Sequence, residues 1–207
     1  MNLNSILTMK RTALNKEYWE NRYNSNDFPW DAGSITTPLK EYFDQIQDKS
    51  IRILIPGCGN SYEFEYLIHN GFQNVFVLDY APTPVQNLKN RLPESYHNNI
   101  ILQDFFDHTT IYDLIVEQTF FCALPPELRP HYIQKMHSLL SKKGKVVGLL
   151  FQFPLTEAGP PFGGSKNEYE DSFSPLFHIH TLETAHNSIK PRQGNELFFI
   201  FTKKTTQ

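Results

Sequence analysis

The stretch IRILIPGCGNSYEFEYLIHNGFQNVFVLDY, residues 51–80, decides the fold. A β-branched run over residues 51–55 reaches Pro56-Gly57-Cys58-Gly59. A helix-like stretch follows, then a second apolar run over residues 75–78 that stops at Asp79. This order predicts a βαβ unit with a glycine-bearing first turn and an acid at the tip of the second strand. Glycine has no Cβ, so backbone there can approach a ligand closely. A carboxylate at the second strand tip can accept hydrogen bonds from two ribose hydroxyls. The unit therefore implies a cofactor that contains a nucleoside.

Which cofactor depends on the rest of the turn. Dinucleotide folds use three glycines as G-x-G-x-x-G, the third for tight helix–strand packing. Here Tyr62 stands at the third position, after Gly57 and Gly59. Glu63 and Glu65 lie close to the helix start and oppose a pyrophosphate, although a helix N-terminus itself favours anions. A cofactor with no phosphate and a net positive charge, such as S-adenosylmethionine, suits these residues better. The glycine turn alone leaves a dinucleotide open.

Outward from this unit, Asn15 is placed to cap a short helix ending near Tyr23, with Trp19 and Tyr23 four apart on one face. Residues 1–35 read as an N-terminal arm, and 37–47 as a second helix. After the βαβ unit come a helix over 83–91 and strands at 99–103 and 112–118. A helix from Pro126 to about Leu140 and a long apolar strand at 145–153 follow. A Pro/Gly-rich excursion, PLTEAGPPFGGSKN, precedes a helix near 167–173 and two strands near 177–182 and 196–202. The alternation predicts an α/β, Rossmann-like doubly wound sheet, mostly parallel, with a C-terminal antiparallel hairpin. A nicotinamide dehydrogenase is expected to end on another βα crossover instead.

Composition narrows the class. At 207 residues, 40% hydrophobic and 20% charged, the chain is expected to fold as one globular domain, with a core over 51–207. No apolar run reaches membrane-spanning length and no segment has signal-peptide form, so a cytoplasmic location is expected. Cys58 and Cys122 are expected as buried thiols in a reducing compartment, and no metal site is expected. The net charge of −3 offers no basic face for nucleic acid.

Five segments carry a family resemblance: YWENRYNSNDFPWDAG at 18–33, LIPGCGNSYEFEYLIHNGF at 54–72, VLDYAPTPVQ at 77–86, EQTFFCALPPELRPHYIQKM at 117–136 and AGPPFGGSKNEYEDSFSP at 158–175. The chain resembles the thiopurine S-methyltransferase family, most closely its plant-type halide and thiol methyltransferases. The resemblance implies a class I methyltransferase fold with a helical N-terminal lid and S-adenosylmethionine as donor, leaving S-adenosylhomocysteine. It implies a small soft acceptor: a thiol, thiopurine, hydrosulfide or halide. By position, Trp19, Tyr23 and Trp30 would close over the cofactor. Gly57 would approach its methionine portion, Asp79 would hold the ribose, Asp104 and Phe105 the adenine, and Gln118 would touch the methionine end. Phe162 and Arg192 would face the acceptor. The chain departs from the plant-type pattern at Tyr23, Asn60, Gln118 and Phe162.

A Ser/His/Asp or Cys/His apparatus is not evident, as suits in-line transfer between a sulfonium and a soft nucleophile, where positioning and exclusion of water matter most. Residues 154–166 are expected as a flexible lid. Arg129 and His131, at the start of a helix, are expected to be exposed. A small-molecule partner and a monomer or weak homo-oligomer are expected. A non-catalytic cofactor-binding protein of the same fold is the other class, since fold alone does not settle function.

Overall fold

The computed structural model describes residues 14–205. The greater part of the expected loose arm over residues 1–14 lies outside them. Two short helices come first, α1 (Lys16–Asn24) and α2 (Thr37–Asp44). The Asn15 side chain caps α1 by accepting the Tyr18 N–H at 2.9 Å. The core then runs β1 (Arg52–Pro56), α3 (Tyr62–His69), β2 (Asn74–Asp79), α4 (Pro82–Arg91), β3 (Ile100–Leu102) and β4 (Tyr112–Gln118). It continues through α5 (Arg129–Ser138), β5 (Leu140–Phe151), α6 (Lys166–Phe173), β6 (Phe177–Thr184) and β7 (Glu196–Lys203).

The strands form one seven-stranded sheet in the order β3-β2-β1-β4-β5-β7-β6. The first five strands in that order pair parallel, and β7 is antiparallel to both β5 and β6. The order reverses between β1 and β4, which opens a crevice at the carboxyl ends of these strands. The predicted terminal hairpin is present, with its second strand inserted next to β5. The helix expected from Pro126 is divided: a 3-10 turn over Pro126–Leu128 precedes α5, and β5 begins at Leu140, five residues before the predicted start.

Side chains alternate between two apolar layers because successive residues of a strand point to opposite faces. Ile53, Ile55, Val75, Val77, Leu114, Val116, Val147 and Leu149 join Leu39, Phe43, Phe64, Leu67 and Leu88 of α2, α3 and α4 on one face. Leu54, Leu78, Ile115, Val146 and Leu150 join Tyr132, Met136 and Phe173 of α5 and α6 on the other. Each central strand is buried on both faces, so its sequence reads as a continuous apolar run.

Arg129 is buried rather than exposed, at 5% relative accessibility. Its guanidinium donates to the carbonyl of Gly163 at 2.8 Å, pairs with Glu168 at 2.7 Å and lies 4.6 Å from the Phe121 ring centroid. Phe162 donates its N–H to the Cys122 carbonyl at 2.7 Å, and Gly164 donates to Phe153 at 2.8 Å. Far from a free flap, the second half of the Pro/Gly excursion is thus pinned to α5 and to the turn after β4. His131, one residue beyond Pro130, is exposed as expected. We predict that Arg129→Ala lowers unfolding free energy by about 2–4 kcal/mol, because two carbonyls and a carboxylate lose a charged donor. Urea unfolding measures the loss, and accelerated proteolysis within 154–165 should accompany it.

Candidate active site

Three turns at the carboxyl ends of β1, β2 and β4 build the site. After β1 the chain passes through positive φ at Gly57 (+58°), Gly59 (+50°) and Ser61 (+47°). Gly57 is required twice over: its φ is left-handed, and a Cβ would stand 2.4 Å from the Phe120 ring. A Cβ on Gly59 would stand 2.7 Å from the Tyr23 hydroxyl. Asp79 ties the first two turns together. One of its carboxylate oxygens accepts the Gly59 N–H at 3.0 Å and the other accepts the Ala81 N–H at 2.9 Å. Burial pushes its pKa up from the ordinary carboxylate value, and the Ala81 and Gly59 N–H groups pull it back. Each oxygen keeps a second lone pair for an incoming hydroxyl.

The turn after β4 is organised by Glu117. Its Oε1 accepts the N–H groups of Phe120 and Phe121, both at 2.9 Å, and its Oε2 accepts the Tyr132 hydroxyl. Burial nevertheless raises its pKa to about 7. Next to it, Gln118 accepts the Thr36 hydroxyl at 2.8 Å, which links this turn to the segment leading into α2.

The arm packs across these turns. Trp19, Tyr23 and Trp30 form an edge-to-face cluster, with centroid separations of 5.4 Å for Trp19–Trp30 and 5.8 Å for Tyr23–Trp30. The Arg22 guanidinium lies 5.0 Å from the Trp30 ring centroid. Polar contacts from several core elements hold the arm down. Glu20 accepts the Thr83 N–H at 3.0 Å, Asn60 donates its amide to Asp31, and Arg192 donates to the Trp30 carbonyl. Burial raises the Tyr23 pKa, with the Asp79 charge adding to it, so the phenol stays neutral.

Between arm and strand ends lies a cavity of about 490 Å³. It is lined by Trp19, Tyr23, Trp30, Gly57, Asp79, Asp104, Phe105, Gln118 and Arg192, all expected from the sequence. Asp104 is committed in part, since it accepts the Phe106 N–H at 2.8 Å. Phe162 is not brought there. Its ring covers Gly159, and Pro160 and Pro161 line the cavity in its place. Sequence reasoning missed Phe120, Phe151, Phe153, Ser61 and Glu63 as lining residues. Glu63 carried a signal: on a helix it points about 200° away from Glu65. Glu65 accordingly faces out and pairs with Arg91 at 2.7 Å, whereas Glu63 is buried.

The model of the thiopurine S-methyltransferase family matches residues 14–205. The chain belongs to that family. Among curated relatives, a probable thiol methyltransferase of Arabidopsis thaliana is 30% identical over 91% of this chain and 85% of its own length. A thiocyanate methyltransferase of Brassica oleracea is 27% identical over 86% and 81% of the two chains. A thiopurine S-methyltransferase of Aliivibrio fischeri is 26% identical over 79% and 84%. Among solved structures, the 1,6-didemethyltoxoflavin-N1-methyltransferase of Burkholderia thailandensis, with S-adenosylhomocysteine bound, superposes with a TM-score of 0.74 at 14% identity, covering 95% of this chain and 90% of that one. As a member of the family the chain is an S-adenosylmethionine-dependent methyltransferase of the class I fold. Among the described residues, no group of His, Cys, Asp or Glu could hold a metal ion, and no helix is long and apolar enough to cross a membrane.

The residues present fit the donor. Two glycines let backbone line the cavity, a buried carboxylate keeps acceptor capacity, and two buried oxygens, Ser61 Oγ and Glu63 Oε1, have no hydrogen-bond partner in the protein. The two thiols that line the cavity, Cys58 and Cys122, are both pushed up by burial and remain protonated.

Burial also raises Glu63 to about 7. Glu63 and Glu117 thus bind protons more tightly folded than unfolded. Their contribution to stability is full below about pH 4.5 and is lost as pH rises through about 7. His108, lowered by burial, works in the opposite direction below its ordinary value. The comparison that isolates one group is Glu117→Gln. We predict that its urea midpoint falls less than the wild-type midpoint between pH ~5.5 and ~8. Parallel profiles would show that Glu117 titrates alike in both states.

Proposed function

We propose that this enzyme transfers the donor methyl group to a small, partly apolar organic thiol or thiopurine. The observation that carries the reading is the composition of the far end of the cavity. Asp79 and Asp104 sit at the β2 and β3 side of the crevice. At the β5 and β7 side the lining changes to Phe151, Phe153, Pro160, Pro161 and Pro191, with Phe120 between and Arg192 and Asn195 as its polar members. This wall suits a polarisable, partly apolar acceptor and gives little to a strongly hydrated anion, whose lost water must be replaced by donors.

When bound, S-adenosylmethionine supplies an electrophilic methyl group on a cationic sulfur. The chain's own residues do the rest. In this reading Asp79 accepts from the ribose hydroxyls, Phe105 and Asp104 border the adenine, and Gly57 lies against the amino-acid portion. Trp19, Tyr23 and Trp30 cover the cavity mouth, and their rings favour a nearby cation by up to ~2 kcal/mol when water is excluded. Gln118, oriented by Thr36, marks the boundary between donor and acceptor. Arg192 lines the acceptor side, but its guanidinium pairs with Glu196 at 3.3 Å and holds the Trp30 carbonyl. It therefore acts first as a strut between β7 and the arm. A thiol with a pKa near ~8.5 offers a useful thiolate fraction without a dedicated base.

A halide or thiocyanate acceptor is the second reading, favoured by the donors of Arg192 and Asn195. An acceptor panel decides between them. With S-adenosylmethionine and, separately, an aromatic thiol, a thiopurine, hydrosulfide, thiocyanate and iodide, the organic thiols are expected to give the highest kcat/KM. Iodide or thiocyanate leading the panel would overturn the assignment.

Two variants test the donor side. Asp79→Ala is expected to weaken S-adenosylhomocysteine binding in titration calorimetry by about 1–3 kcal/mol. Trp30→Ala is expected to raise the dissociation constant for S-adenosylmethionine by about three- to thirtyfold. Ligand should slow proteolysis of residues 14–35 in the wild type. Equal cleavage with and without ligand would remove the covering role of the arm.

A further inference from the structure

Glu63 occupies the first turn of α3, directly after the glycine turn. It lines the cavity, is 6% exposed, and its Oε1 has no hydrogen-bond partner. Its carboxylate receives only its own backbone N–H, whereas the other carboxylates of the lining are engaged by donors from other residues. Asp31 accepts from Asn60 and from the Gly33 N–H, Asp79 from Gly59 and Ala81, and Asp104 from Phe106. A buried carboxylate oxygen without a donor is costly, and such groups call for an explanation. Beside it Ser61, 3% exposed, carries a hydroxyl that is likewise unpartnered.

The donor's amino-acid portion is a zwitterion. The N-terminus of α3 offers only N–H groups, which suit the carboxylate half. The ammonium half needs an acceptor, and β1 ends on Ile55 and Pro56, whose side chains have none. Resting on the reading of this cavity as the S-adenosylmethionine site, we propose that Glu63 is the carboxylate that receives the donor's α-ammonium group, with the Ser61 hydroxyl turned to its α-carboxylate. Three charged or titratable groups face Glu63: Asp31 from the arm, Cys58 on the glycine turn and Arg192 from the C-terminal segment. Arg192 is already paired with Glu196, so Glu63 lacks a committed cation until the ammonium arrives. Burial holds the empty Glu63 near pH 7, and the ammonium ionises it.

Titration calorimetry on the full chain tests this with S-adenosylhomocysteine and its deamino analogue, which keeps the carboxylate and lacks the ammonium. Glu63→Gln is expected to raise the dissociation constant for S-adenosylhomocysteine by about ten- to hundredfold, and to leave that of the deamino analogue nearly unchanged. In wild type at pH ~6.5, where an α-amine is protonated, binding of S-adenosylhomocysteine is expected to release protons. Titrations in two buffers of different ionisation enthalpy should detect this release, which the deamino analogue should not show. This second measurement needs no variant, so it stands even if Glu63→Gln folds poorly. Equal loss for both ligands, no loss for either, or identical proton release by both would overturn the assignment of Glu63. Failure of wild type to bind S-adenosylhomocysteine at all would instead strike the reading of the cavity itself.

Discussion

The Asp79 carboxylate is the joint on which the site depends. It bridges the turn after β1 and the turn after β2 through two backbone N–H groups. Those turns diverge at the point where the sheet order reverses, so a cavity must form above them. Glu117 repeats the device one strand away, with two N–H groups and a phenol closing the turn after β4. Two buried carboxylates, each satisfied by backbone donors, thus fix three strand ends around one space. Charge burial of this kind is unfavourable in isolation and persists because every polar contact around it is made.

The parts of this arrangement that were legible in the sequence are local ones. The βαβ unit, the glycine turn and Asp79 lie within thirty residues, and their signals are apolar period, glycine and a terminal acid. The Asn15 cap and the Trp19–Tyr23 face are similarly short-range. What escaped depends on chain segments far apart. Arg129 looked like a surface residue because its acceptors, around Phe162 and Gly163, stand 33 and 34 positions away. Phe162 looked like a pocket residue because loop sequence has no period from which side-chain direction can be read. The Cys122 carbonyl, holding its N–H, fixes that direction instead. Glu63 was recognised only as a charge hostile to phosphate. Its burial required knowing which face of α3 meets the sheet.

The arm shows how departures from the plant-type pattern are accommodated. Tyr23 places its hydroxyl where Gly59 lacks a side chain, and Asn60 uses its amide to hold Asp31. The Asn60 departure thus adds a polar contact between arm and core. That contact ties the aromatic cover to the glycine turn, and the departure at Gln118, the last residue of β4, is held by the Thr36 hydroxyl. The joint made by Asp79 and the glycines is the part a nucleoside would touch.

Charge explains why this crevice is built for a cation rather than for a dinucleotide. Asp31, Glu63, Asp79 and Asp104 line it, against Arg22 and Arg192. Arg22 is paired with Asp27 at 2.8 Å and Arg192 with Glu196, so both positive charges are compensated by carboxylates that are not among the lining residues. The space therefore presents net negative charge inside low-dielectric walls, where field strength is greatest. A pyrophosphate would meet repulsion from Glu63 at the helix end that normally attracts it. A cationic donor entering this space would meet the opposite sign.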